Sequence, residues 1–372
     1  MVIKAASYTL PRLKSQMTTL ASSDYYALRT STVAHRLAWV DIAKGICIVL
    51  VVTMHTTLGV GIALDATGWL HKLVAYAKPF RMPDFFTIAG LFAGAAIAKP
   101  WRTFIDRKVL HFAYFLALWL AIILAVKSSD LQLDSIRAFV TAYLWAFIEP
   151  FSTLWFIHIL PLMFIALRLI WRMPWPVGLA AAIAIHLSAS MYLLPDPYAL
   201  ASVWTGWTAI DNFSLFFVYF YIGAKAAPAI LRFADNAMAF REAAVVLLIL
   251  WAALNAVAVR LQIADWPGIS FLLGSTGALA VITIAAIASL YRPFESLAYL
   301  GRHSLVIYLS FVIPMAAARV ALVKLDISDN VDFLSIVVIA FAIGVSLALQ
   351  SLVQGTPLAF LYRRPQWARL TG

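Results

Sequence analysis

Asp41, Lys44 and His55 stand in a stretch that otherwise reads Ile46, Cys47, Ile48, Val49, Leu50, Val51 and Val52. A Lys or Asp at the centre of a membrane helix costs roughly 2.5 to 3.5 kcal/mol, so ionisable residues in such a stretch call for a function. On an α-helix, positions 41, 48 and 55 drift by only about 20° per heptad, so one stripe carries Asp41 and His55, with Lys44 beside them. A rise of about 1.5 Å per residue puts roughly 16 Å between Lys44 and His55. A neutral imidazole at His55 can take a proton from a hydroxyl near neutral pH. The Lys44 ammonium suits a phosphate or an anionic thioester intermediate, with Asp41 orienting it. A plainer reading stands beside this one: Asp41 and Lys44, three apart, neutralise one another, and His55 is a hydrogen-bonded packing residue.

The elements that must hold this stripe are membrane helices. Of 372 residues 63% are apolar and only 12% charged, and the mean hydropathy is +0.90, whereas about a quarter of residues in soluble domains are charged. The expected fold class is therefore all-α, a polytopic integral membrane protein. Apolar windows long enough to cross recur at 38–63, 82–98, 109–127, 152–171, 175–194, 211–231, 242–260, 268–290, 303–323 and 333–362, which makes about ten transmembrane helices. The stretches 134–150 and 69–78 are too polar for this test and read as interfacial or re-entrant. With the N-terminus inside, nineteen Lys and Arg fall in the loops of one side and seven in those of the other, leaving Lys44 and Arg319 within spans. This asymmetry places both termini in the cytoplasm. The chain divides into a cytoplasmic N-terminal tail (1–35), one transmembrane domain (36–362) and a cytoplasmic C-terminal tail (363–372).

The net charge of +11 is accounted for by loops facing anionic lipid. No basic helix, zinc spacing or RNA-type aromatic motif accompanies it, so nucleic acid is not an expected partner. Metal spacings are absent, and no metal is expected. Cys47 is the only cysteine and reads as small apolar packing. His111, His158 and His186 read as histidines satisfied by their neighbours, and Gly45, Gly59 and Gly61 as points of close helix approach. Arg319 needs a buried anion or a water-filled cavity.

Residues 36–55, from Arg36 through Trp39, Asp41, Lys44 and Gly45 to His55, resemble the opening helix of the membrane acyltransferase-3 family, especially its branch similar to fucose 4-O-acetylases. The family's hallmark is a basic residue, ten intervening positions and a His; Lys44 and His55 match it, with Lys where many members have Arg, which keeps the charge and removes the bidentate fork. Met82-Pro83, Phe85-Phe86 and Ala89-Gly90 are similar to a further family segment, with Ala89 in place of the usual Ser. Arg102, Arg107 and Lys108 sit where the family has a basic cluster. Leu154 to Ile157, and Leu300-Gly301 followed by Ser304-Leu305 and Tyr308, resemble two later segments, although Ser310 and Phe311 stand where members often carry a second His.

The resemblance implies transfer of an acyl group, acetyl or succinyl, from cytoplasmic acyl-CoA to a hydroxyl of a glycan or lipid-linked sugar across a bacterial inner membrane. It implies no permanently bound cofactor, with acyl-CoA as co-substrate, membrane lipid around the protein, and leaves homo-oligomerisation open. On this reading His55, Lys44 and Asp41 are the catalytic set. Arg102, Arg107 and Lys108 receive the CoA phosphates, or merely set topology. Arg81 faces the acceptor or pairs with Asp84; Trp155 stacks on a sugar or on adenine, or anchors at the interface; Ser304 and Tyr308, on one helix face, donate to an acyl oxygen or pack. The rival function is a transporter of a sugar or small anion using the same charges, which would be expected to show related halves and broken helices in matching positions.

Overall fold

A computed structural model describes residues 38–193 and 204–370; the N-terminal tail and most of the connection after residue 194 lie outside them. The described residues are helical, with no β-strand. This is what a chain with few turn signals and long apolar runs must do in a bilayer, where backbone groups find partners only within a helix.

The first helix, α1 (Ala38–Leu64), is 27 residues long and is followed by α2 (Trp69–Leu91). The stretch 69–78 is thus not an interfacial element separate from a span at 82–98: it is the first half of one helix that continues through Pro79 and Pro83. Its polar residues lower its hydropathy because they point into protein rather than lipid. His71, Lys78, Arg81 and Asp84 are all buried, and Lys78 Nζ meets Asp265 Oδ2 at 2.7 Å.

After the short α3 (Ala93–Ile97), α4 (Trp101–Val126) contains a π-helical stretch at Ile105–Leu110. The segment expected at 134–150 contains a ten-residue helix, α5 (Ile136–Trp145), started by Ser135, whose Oγ accepts from Ala138 N. Next come α6 (Trp155–Leu169), α7 (Trp175–Ser190), α8 (Thr208–Lys225) and α9 (Ala227–Ala239), then α10 (Arg241–Arg260) and α11 (Pro267–Ala288). The chain closes with α12 (Glu295–Arg302), α13 (Ser304–Ser310), α14 (Val312–Lys324) and α15 (Val331–Val353), then a 3-10 turn at Pro357–Leu361.

Six of these helices are long and apolar enough to cross a membrane, and up to eight if two bent pairs each count as one span. The window 211–231 breaks into α8 and α9 with a 77° bend, and 303–323 into α13 and α14 with a 53° bend. The protein is therefore a multi-pass membrane protein whose helices are less uniform than hydropathy windows suggest. At the centre α2 is clasped by α8 and α11. Gly90 and Gly223 face each other's helices so closely that a Cβ on either would sit 2.3 or 2.1 Å from a carbonyl oxygen of the partner, the close backbone approach that small residues permit.

Candidate functional site

The N-terminal end of α1 is held by a second close approach. A Cβ at Gly45 would stand 2.1 Å from Leu297 O, and one at Gly301 would stand 1.7 Å from Asp41 O. The backbones of α1 and α12 therefore touch, and the chain turns from α12 into α13 directly beside Lys44. Asp41 and Lys44 form an ion pair at 3.5 Å, with both side chains about a third exposed. The pair neutralises Lys44 only in part, because an exposed pair one turn apart is worth a few tenths of a kcal/mol.

Lys44 lines a narrow slot of about 160 Å³ whose walls include Cys47, Phe85, Phe156, Ser304 and Tyr308. The walls are otherwise apolar. Cys47 does more than pack: its Sγ–H donates to Asp84 Oδ2 at 2.8 Å. Tyr308 Oη donates to the Thr153 carbonyl, so its proton is already placed, whereas the Ser304 hydroxyl has no hydrogen-bond partner among the described residues. Of the two residues expected to reach an acyl oxygen, both border the slot and Ser304 is the one with a free donor.

Beside the slot, and sharing Phe112 and Leu305 with it, opens a cleft of about 620 Å³. Arg107, Lys108, Arg363, Arg364 and Arg369 line it, with His111 and a single carboxylate, Asp106. The π-helical stretch presents Asp106, Arg107 and Lys108 together on one wall. The C-terminal segment supplies the other wall and is tied down at several points. Asp106 forms a buried ion pair with Arg364 and accepts from Leu370 N at 2.8 Å; Trp119 Nε1 donates to Leu361 O at 3.0 Å. Arg102, grouped in sequence with Arg107 and Lys108, is separated from them here. Its Nη2 donates to Leu370 O at 2.9 Å, which makes it a tether for the tail. His111 packs edge-on against Phe112 and Phe115 and also lines this cleft, whereas His158 and His186 find partners in Phe147 O and Leu215 O.

His55 lies two turns along α1 from Cys47, half-buried, with the Phe311 ring 5.7 Å away. It forms no hydrogen bond with a described residue, so the reading of His55 as a hydrogen-bonded packing residue finds no partner for it. Arg81 and Lys127 are the charged groups near enough to act on it. Arg81 is only 2% exposed, and its Nε and Nη1 have no partner among the described residues. Asp84 does not pair with it: its Oδ2 accepts from Cys47 and its Oδ1 has no partner among the described residues. The slot itself stops short of His55, at Cys47 and Tyr308, with Ile48, Val51 and Val52 closed into the core beyond it. Trp155 packs on Phe86 and Phe216, with ring centroids 6.1 and 5.6 Å apart, and does not line the slot.

Two features escaped the sequence reading. Arg363, Arg364 and Arg369 carried a signal, but one indistinguishable from topology control. Cys47 and Asp84 are 37 residues apart, and nothing in either segment announces their contact. Among the described residues no group of three His, Cys, Asp or Glu side chains is placed to hold a metal ion.

Comparison with known proteins supplies the family. Part of the chain, 184 residues, is 26% identical to the inner membrane protein YcfT of Escherichia coli (strain K12), covering 43% of this chain and 50% of that protein. The chain thus spans about half the length of the curated relative it matches. No solved structure matches it. Residues 37–349, which hold α1, the slot and one wall of the basic cleft, match a family model described as an acyltransferase domain. With most of its length under that one model, the chain belongs to acyltransferase family 3.

Proposed function

We propose that this protein is a membrane O-acyltransferase that takes an acyl group, acetyl in the first instance and succinyl as the larger alternative, from cytoplasmic acyl-CoA. The acceptor is a hydroxyl of a cell-surface or periplasmic glycan. The observation that carries this reading is the continuity between a strongly cationic cleft and an apolar slot ending at polar groups. Five cationic side chains against one carboxylate suit the phosphates of CoA, with Arg and Lys giving charge-assisted hydrogen bonds. The apolar slot beside them suits the uncharged pantetheine arm, and brings a thioester to Lys44, Cys47 and Ser304.

In this reading the chain crosses the inner membrane ten times with both termini in the cytoplasm, so that α1 carries the stripe inward from the donor side. His55 takes the proton of the acceptor hydroxyl as its oxygen attacks the thioester carbonyl. The C–O bond forms, the C–S bond breaks, and the imidazolium returns the proton to the departing thiolate. Lys44 and the Ser304 hydroxyl hold the thioester in the slot, about 16 Å along α1 from His55, before it advances. Turnover then requires the buried side chains of Ile48, Val51 and Val52, which follow Cys47 on α1 before His55, to open a path from the slot. The reading is tested with membranes carrying the protein, its His55→Ala variant or its Lys44→Ala variant, supplied with acyl-labelled CoA. Loss of label transfer to glycan in both supports the site; unchanged rates in both remove it.

A further inference from the structure

At the end of the bundle away from the basic cleft, the last turns of α1 and α14 enclose a cavity of about 300 Å³. Its floor is Arg319, half-buried, and its rim carries Lys324, Ile62 and Val320. Gly59 makes the seat for the guanidinium: a Cβ there would stand 2.6 Å from Arg319 Nη1. Arg319 forms no hydrogen bond and no ion pair with a described residue. Of the acidic side chains near this end, Asp65, Asp326, Asp329 and Asp332, none pairs with Arg319, and Asp332 is committed to accepting from Trp69 N at 3.0 Å and Leu70 N at 2.9 Å at the start of α2. A cation left among apolar groups without a counter-charge is costly, so the arrangement asks for an anion that no described residue supplies.

The rim says what kind of anion. Ile62 is 83% and Val320 45% exposed, so the cationic floor opens between apolar side chains that face outward. An inorganic ion would gain nothing from such a rim, whereas a phosphate carried on a hydrocarbon chain matches both parts. We infer that Arg319 and Lys324 hold the phosphate of a membrane-anchored amphiphile. The site begins four residues beyond His55, about 6 Å along the helix axis. If the acyl-transfer reading is right, an amphiphile seated there is the anchored end of the acceptor; the binding itself does not rest on that reading.

The test uses the full-length protein purified in a neutral detergent, with no acyl-CoA present. Its thermal unfolding is followed while a polyprenyl phosphate, phosphatidylglycerol, phosphatidylcholine or inorganic phosphate is added. Stabilisation by the two anionic amphiphiles, and by neither phosphatidylcholine nor inorganic phosphate, is expected. Arg319→Gln should weaken that apparent affinity by at least about tenfold, or 1.4 kcal/mol. Lys324→Gln, on the exposed rim, should weaken it less, and Arg319→Lys should retain part of it, which separates lost binding from lost folding. A polyprenyl phosphate bound tighter than phosphatidylglycerol marks a lipid-linked substrate, and equal binding marks a structural anionic lipid; both support the phosphate site. Equal stabilisation of wild type and Arg319→Gln, or the same response to inorganic phosphate alone, overturns it. Because no acyl transfer is read out, failure here leaves the catalytic proposal standing, and the reverse also holds.

Discussion

Asp106 and Arg364, 258 positions apart, form a buried ion pair that fastens the C-terminal segment to the π-helical stretch of α4. The Asp106 carboxylate also accepts from Leu370 N, and the Arg364 guanidinium donates to the Asp106 carbonyl. Neither partner could be buried alone, since an uncompensated charge in that position costs several kcal/mol. The pair is therefore the buried one of several ties that bring Arg363 and Arg369 to the cleft.

Replacing Asp106 by Ala should release the tail and, by leaving Arg364 unpaired, destabilise the protein by about 3 to 5 kcal/mol. Limited proteolysis should then cut after residue 361 in the variant and spare the wild type. The same change should raise the KM for acyl-CoA more than it lowers kcat, because it dismantles one wall of the donor cleft and leaves α1 in place. A variant whose tail stays protected and whose KM is unchanged would show that the tail is not held by this pair.

On the proposed reading, the basic cleft should also respond to salt. Charges facing an open cleft are screened over roughly 8 Å at physiological ionic strength and about 3 Å at 1 M. Raising the salt should therefore raise the KM for acyl-CoA in the wild type, and less so in Arg107→Gln with Arg369→Gln. An acyl donor lacking the CoA phosphates should show little salt dependence with either enzyme. Initial rates across a salt series in detergent measure this directly.

Cys47, the only cysteine, reports on the slot. Its side chain is 1% exposed yet borders the cavity, and its proton is held by Asp84. A small maleimide should label it slowly, and bound acyl-CoA should slow labelling further, whereas free adenine nucleotide, which fills only the cleft, should not. Mass spectrometry of the labelled chain gives the rate without ambiguity. Protection by adenine nucleotide equal to that by acyl-CoA would mean that the slot does not receive the arm of the donor.

How much of this was legible in the sequence follows from what each signal measures. Helical periodicity fixes which residues of α1 share a face, and of the stripe expected there Lys44 lines the slot while His55 lies beyond it. The first half of α2 was misread as interfacial, because hydropathy averages over a window and does not know that Lys78 will meet Asp265, 187 residues on. The same limit hid the bends between α8 and α9 and between α13 and α14, where the apolar run continues across the break. Arg102 looked equivalent to Arg107 and Lys108 until the π-helical stretch and the returning tail gave it a different partner. Residues brought together by long-range folding, such as Asp106 with Arg364 or Cys47 with Asp84, leave no local pattern.

The backbone contact between α1 and α12 gives the last prediction. A methyl group at Gly301 would stand 1.7 Å from the Asp41 carbonyl oxygen and 2.9 Å from Gly45 N, so Gly301→Ala cannot be absorbed by moving a side chain. The helices must part. Overpacking of this kind costs about 1 to 3 kcal/mol, which a multi-pass protein survives, but the displacement carries Ser304, three residues on, away from Lys44. Thermal unfolding should therefore show a modest loss while acyl transfer falls much further, with the apparent affinity for acyl-CoA nearly kept because the basic cleft lies on α4 and the tail. Gly344→Ala is the control: a Cβ there meets nothing within 4 Å, so both stability and activity should stay near wild type. Equal activity in the two variants would show that the distance between Lys44 and Ser304 does not matter to the reaction.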